Sequence, residues 1–539
     1  MSGSITLENR FGVNKMELIS LKYAIFVIVL LVLYYCFPKK YRWYVLLAGS
    51  MAYYVIICKW YVLFIIFTIC TTYGSTIWID KLLKKQNAIV KSHKEDWDRQ
   101  TRKEYKEKGR KKRVAVMLFA LLCNFGILAF LKYIPYAGEL GLLLPLGISF
   151  YTFQSMGYVM DVYREIVEPE KNFLKVALFV SFFPQIIQGP IAIYDKLAGQ
   201  LYEGHSLRLE NLQKGALLVL WGVMKKLVIA DRAVNIINFV MDKPMDFSGT
   251  YVFFAAVVYA LQLYADFSGG IDIVRGIAEM FGITMSTNFN HPYFSRSLTE
   301  YWHRWHMTLG DWCRNYIFYP LSISKRFLNF GKWLKPRFGA HISKVLPGCI
   351  ASVITFIVIG VWHGANMKYL YFGLWNGIVI MLAELFAPVN KKVAGGFFKL
   401  TGLREKGIFA TIISVLWTFM LILVGYYFDI AANASTAFHM LFKSVTDFHI
   451  GELGINNIIL NLGACGLDKY DILLLIICTL LWFFISFVEE NKKLDMRDFI
   501  LSRKLPLRWA IIYLGIFIVI IFGYYGPGVN PADFVYMQF

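Results

Sequence analysis

The sequence predicts an all-α polytopic membrane protein with about eleven transmembrane helices plus re-entrant and interfacial helices. Three observations predict it. Of 539 residues, 57% are hydrophobic and only 17% charged, where soluble domains carry about 25% charge. The apolar residues gather in runs approaching the roughly 20 residues that a helix needs to cross a bilayer. The basic residues behind the net charge of +20 and the pI near 9.4 lie mainly between those runs. That is the pattern of a cytoplasmic membrane face, not of a nucleic-acid site.

Taken in order, residues 1–17 are polar and lack the apolar core of a cleavable leader. Apolar runs follow at about 22–37, 43–58 and 60–80. Residues 81–113 read as a basic cytosolic loop, which with Lys39–Arg42 places the N-terminus outside. Further runs fall at about 114–134, 140–162, 172–192, 213–230 and 250–265. Pro184 and Pro190 break the third of these, because each lacks an amide donor and clashes with the preceding turn. Broken helices at membrane depth survive where protein or a cavity satisfies the freed backbone. That segment, with Gln188, and the polar 144–164 segment are therefore expected to line an interior space.

From Asp266 to about Ala340 hydrophobicity falls, and residues 266–344 read as a polar re-entrant or interfacial region. Within it Arg296–Leu321 reads as one or two short amphipathic helices, with Ser297 or Thr299 as a cap. Spans resume at about 345–363, 368–386 and 408–428; residues 431–470 read as a surface segment, and spans at about 472–489 and 508–525 close the chain. The whole is expected to be one membrane domain, 1–539. The eight cysteines form no CxxC pair and lie mostly inside apolar runs, so they read as small buried hydrophobes.

Two histidines carry the candidate chemistry. His363 closes a long apolar run. Burial disfavours an imidazolium, and a neutral ring can take a proton from an attacking hydroxyl; a buried histidine bonded to a helix carbonyl fits the same pattern. His306 follows Arg304 and Trp305, one turn after His303. It reads either as part of an aromatic, basic interface helix or, with Arg304 and Arg314, as a group that orients an anionic donor entering from the cytosol. His303 and His306 share a helix face at i and i+3, but no further ligand follows at metal spacing, so no metal is expected. There is no GxSxG elbow, P-loop or GxGxxG.

An ordered set of segments then matters: PLGISFYTFQ (145–154), DVYR (161–164), FFPQIIQGPI (182–191), VMKKLVIADR (223–232), YADFSGGID (264–272), NFNHPYFSRSLTEYWHRWHMTL (288–309), RNYIFYPL (314–321) and VWHGANMKYLYFGLWNG (361–377). This series, with the aromatic ending 534–539, resembles the membrane-bound O-acyltransferase family, in its bacterial alginate-type branch of polysaccharide O-acetyltransferases. The resemblance implies a helical fold around a central tunnel, with His363 as the main catalytic residue and His306 in the same tunnel. With that frame, Trp302, Arg304, Trp305 and Arg314 are expected to shape the cytosolic mouth, and Trp362, Asn366, Gln188 and Asp266 to be substrate or tunnel residues.

It further implies no bound cofactor, an acyl thioester donor on the cytosolic side (acetyl-CoA, or an acyl-carrier protein), and a hydroxyl acceptor on an extracytoplasmic protein or polysaccharide. The location implied is the bacterial plasma membrane. The sequence departs from the branch at His303, where an arginine is usual, at Asn315, at Asn376, where a histidine is frequent, at Gln188 and Ile193, and at Asp429. The alternatives are a D-alanyl transferase for teichoic acid, which shares fold and histidines, and a transporter or flippase, which also uses broken helices.

Overall fold

A computed structural model describes residues 17–401, 404, 407–454, 457, 465–526 and 534. The polar N-terminal stretch before Glu17, part of the 431–470 segment and the ending 535–539 lie outside the described residues. Every regular element described is helical. In a bilayer this follows from backbone chemistry, since a helix satisfies its own amides and carbonyls.

The chain falls into two compact units, 1–219 with 271–286, and 220–270 with 287–539. The first unit carries α1 (Leu21–Cys36), α2 (Arg42–Cys58), α3 (Val62–Ser92), α4 (Arg99–Tyr133), α5 (Ile148–Tyr163), α6 (Phe173–Ser181), α7 (Phe183–Gln188) and α8 (Tyr194–Tyr202). Next comes α9 (Leu209–Met224), which ends in a π-helical turn, Lys225–Ala230. The second unit carries α10 (Asp231–Met241), most of α11 (Gly249–Met280), α12 (Leu298–Arg304), α13 (Met307–Cys313), α14 (Lys325–His363), α15 (Met367–Leu385), α16 (Ala387–Thr401), α17 (Ile408–Ile430), α18 (Ala434–Thr446), α19 (Lys469–Lys492) and α20 (Leu505–Phe522).

The basic stretch 81–113 is mostly helix and not a loop. α3 and α4 run through it, separated by a short turn in which Asp98 caps Thr101. Among the described residues seven helical stretches are long and apolar enough to cross a membrane, or eight if the bent pair Met367–Leu385 and Ala387–Gly396 is one span. This differs from about eleven for identifiable reasons. α2 and α3 form one nearly continuous stretch, Lys39–Ser92. The runs at 140–162, 172–192 and 213–230 make helices of only 16, 9 with 6, and 16 residues.

The short helices of the first unit are its core. α5 is buried along almost its whole length. It starts late because Gly147 sits at φ +69°, where a side chain would also strike the Ile186 carbonyl. The chain breaks at Phe182, just before Pro184, as the proline demands. Side chains answer the freed backbone groups. Gln154 Nε2 donates to the Phe179 carbonyl at 2.7 Å, and Gln185 Nε2 donates to the Pro190 carbonyl at 3.0 Å and to Gln154 Oε1 at 2.6 Å. Ser50 Oγ accepts from the Phe183 amide at 3.1 Å.

In the second unit two features set the site. α11 is 72% buried over its apolar window, against 0% for α20. The polar YADFSGG segment is thus an interior helix, while α20 has the exposure of a lipid-facing one. α14 and α15 pack in direct backbone contact: a Cβ at Gly360 would meet the Tyr369 carbonyl, and one at Gly373 the Phe356 carbonyl. Small residues permit this approach, which is how helices associate where lipid tails compete for apolar contact.

Candidate functional site

The Arg296–Leu321 stretch opens with two short helices, α12 and α13, with a break at Trp305–His306, and continues into a π-helical turn, Arg314–Phe318, and a last helical turn, Tyr319–Ser322. Ser297 Oγ caps α12 by accepting from the Glu300 amide at 3.1 Å. The turn is sharp because His306 adopts φ +44°, the left-handed region that a β-carbon disfavours. Neighbouring backbone holds it there: the Met307 amide donates to the Asn288 carbonyl at 2.9 Å, and the Asn290 amide to the Arg304 carbonyl at 3.0 Å. His303 and His306 therefore do not share a helix face. His303 is exposed on α12 while His306 is 1% exposed beyond its end.

His306 and His363 line one cavity, together with Trp302, Trp305, Tyr301, Phe372, Asn376, Tyr426 and Asp429. His363 ends α14 and is half-buried. This reverses the expectation for burial, since the fully enclosed imidazole is His306. Burial, the dominant cause, lowers the His306 pKa to about 3, so its ring is neutral at pH 7. Phe267 packs edge-on against His306 at 4.9 Å, and Trp362 lies 6.4 Å from it and 4.9 Å from His363. A Cβ at Gly364 would meet the Tyr369 ring.

The walls are tied by hydrogen bonds. Trp302 Nε1 donates to Asn376 Oδ1 at 2.9 Å, and Asn376 Nδ2 donates to the Phe372 carbonyl at 2.8 Å. Asn376, where the family resemblance leads one to look for a histidine, thus orients a cavity tryptophan. The Tyr301 and Tyr426 hydroxyls meet at 2.7 Å, and Tyr426 meets Tyr293 at 3.2 Å. Asp429 Oδ2 accepts from the Tyr259 hydroxyl at 2.7 Å.

Of the expected site residues, His306, His363, Trp302 and Trp305 line the cavity. Trp362 is not among the lining residues but is a ring neighbour of both histidines. The others stand elsewhere. Arg304 bridges Glu300 and Glu490 at 2.8 Å each, and Arg314 pairs with Asp311. Asn366 is an exposed cap of α15, its Oδ1 accepting from the Lys368 amide at 3.1 Å. Gln188 is buried in the other unit and is not among the lining residues. Asp266 pairs with Lys226 at 2.7 Å, and Lys226 also pairs with Asp231 at 2.7 Å. Neither Asp266 nor the adjacent Phe267 is among the lining residues, though the Phe267 ring packs on His306.

Sequence reasoning missed Tyr301, Tyr426, Asp429 and Asn288 as site residues. An acid closing an otherwise apolar span, as Asp429 does, is itself a signal of interior function. No comparable signal marks Asn288.

Apolar helices around a cavity lined by two histidines and two tryptophans mark a multi-pass membrane protein. Residues 169–335 match the membrane-bound O-acyltransferase family. The chain is 30% identical over 315 residues to a probable alginate O-acetylase of Pseudomonas syringae, covering 58% of this chain and 54% of that one. It is 29% identical over 391 residues to a peptidoglycan O-acetyltransferase of Helicobacter pylori, covering 66% of each. A teichoic acid D-alanyltransferase of Bacillus subtilis is 26% identical over 288 residues, covering 52% of this chain and 67% of that one. The chain thus spans about half to two thirds of the length of the curated relatives it matches.

Proposed function

We propose that this protein is a bacterial plasma-membrane O-acyltransferase, with its N-terminus outside. It moves an acetyl group from a cytosolic thioester, through a tunnel, to a hydroxyl of a cell-surface polysaccharide or of an extracytoplasmic protein that passes it on. The observation that carries this reading is the cavity that brings His306 and His363 together among aromatic walls. The alginate and peptidoglycan O-acetyl transferring relatives support the acetyl group and the polymer class.

His363 takes the acceptor hydroxyl's proton as that oxygen bonds to the thioester carbonyl carbon; the C–S bond then breaks and the proton passes to the departing thiolate. His306 either polarises the thioester carbonyl or relays the proton. Trp302 and Trp305 exclude water, which strengthens each polar interaction within. Arg304, held between Glu300 and Glu490, shapes the cytosolic mouth, and the part-exposed Arg314 attracts an anionic donor there.

A second reading, D-alanyl transfer to teichoic acid from a carrier-protein thioester, is favoured by the match to D-alanyltransferases. NMR of surface polymers from cells with and without the gene separates them: loss of O-acetyl esters supports the first, and loss of D-alanyl esters the second. His363→Ala protein with undiminished acyl transfer would end the general-base role.

A further inference from the structure

Asn288 is 1% exposed and belongs to no regular element. Its side-chain oxygen is a three-way acceptor. The Thr308 backbone amide lies 3.0 Å from Asn288 Oδ1 and the Thr308 hydroxyl 2.9 Å from it. A backbone N–H only donates, so the atom facing it must be the carboxamide oxygen and not its nitrogen. That fixes the orientation of the amide independently of the histidine. His306 Nδ1 stands 3.2 Å from the same oxygen. An oxygen already accepting cannot give a proton, so Nδ1 must carry the hydrogen of this bond.

We propose that Asn288 is a positioning residue that holds His306 as the Nδ1–H tautomer, leaving Nε2 as the lone-pair nitrogen of the site. A neutral imidazole has one N–H, so the assignment of one nitrogen decides the other. Phe267, edge-on at 4.9 Å, flanks the ring in this orientation. The inference rests on the proposed function only for its consequence, which decides between the two roles open to His306. With a bare Nε2 the resting ring accepts a proton and relays it; it cannot polarise a thioester carbonyl by donating from that nitrogen.

The test is solid-state NMR of the full-length protein in lipid with 15N-labelled histidine, the His306 signals being those lost in His306→Gln. Wild type is expected to show a protonated Nδ1 and a bare Nε2. Asn288→Asp keeps an acceptor and should keep that pattern; Asn288→Leu should bring in the Nε2–H form. The backbone bonds from residues 288 and 290 do not depend on the side chain, and the wild-type spectrum decides the matter even if Asn288→Leu fails to fold. A protonated Nε2 in wild type, or an unchanged tautomer in Asn288→Leu, overturns the proposal. Acyl transfer by Asn288→Leu should fall about 100-fold in kcat with little change in KM, and Asn288→Asp should recover most of it. Full turnover by His306→Gln would instead sink the functional reading and leave the tautomer measurement standing.

Discussion

Replacing Lys226 by methionine should destabilise the protein severely, and the reason is charge arithmetic at one buried point. Lys226 Nζ lies 2.7 Å from Asp231 Oδ1 and 2.7 Å from Asp266 Oδ1, and both carboxylates have 0% side-chain exposure. At an effective dielectric of 20, each such pair is worth roughly 6 kcal/mol of Coulomb attraction. Desolvating the ions consumes most of that, so the intact cluster contributes little net stability. Removing the cation alone leaves two acids buried without it, which costs about 3–5 kcal/mol. Thermal unfolding of purified Lys226→Met in detergent should therefore show a large fall in melting temperature. Lys226→Met with both Asp231→Asn and Asp266→Asn should recover much of it, because neutral amides need no counter-charge.

The same assay tests what Asp266 does. If the cluster explains it, Asp266→Asn changes the melting temperature together with activity. A Lys226→Met protein that melts like wild type would refute the argument. So would an Asp266→Asn protein of unchanged stability that lost only turnover, which would return Asp266 to the tunnel.

Gly373→Leu should push α15 away from the Phe356 carbonyl and Ile357 backbone, costing about 1–3 kcal/mol and lowering turnover by displacing His363; differential scanning fluorimetry with a turnover assay checks both. Gln154→Leu should cost about 1–3 kcal/mol, because it strips the Phe179 carbonyl and Gln185 of their buried partner; Gln154→Glu keeps an acceptor for Gln185 but not the donor, and melting curves rank the variants. Arg314→Ala, whose ion pair with Asp311 is about two-fifths exposed on both sides, should change stability by less than about 1 kcal/mol. If Arg314 attracts an anionic donor, the donor KM rises with kcat unchanged, and the effect shrinks at high salt.

Much of this protein is legible one-dimensionally. Hydropathy and basic flanks announce a polytopic helical protein because the bilayer imposes helix length and composition locally. Pro184 announces the break at Phe182 through its missing amide. Ser297 announces its cap, and the ordered motifs announce the family resemblance and single out the two histidines that line one cavity. The count of crossings was less legible, because an apolar run long enough to span can instead fold as short buried helices, as α5 to α7 do.

What the tertiary structure decided are partnerships between residues far apart in the chain. Residue type alone does not show that Tyr426 meets Tyr301, that Asn376 holds Trp302, or that Asp266 faces Lys226. It does not show that His306, in a basic and aromatic stretch, is more enclosed than His363 in an apolar one. The physical reason is the same throughout. Periodicity and propensity act over neighbouring turns, whereas desolvation and hydrogen-bond satisfaction depend on what packs against a side chain. The sequence by itself therefore determined the membrane class, the family resemblance and two candidate imidazoles, and only the packed structure decided which ring is buried, what packs against it and which acids pair with Lys226.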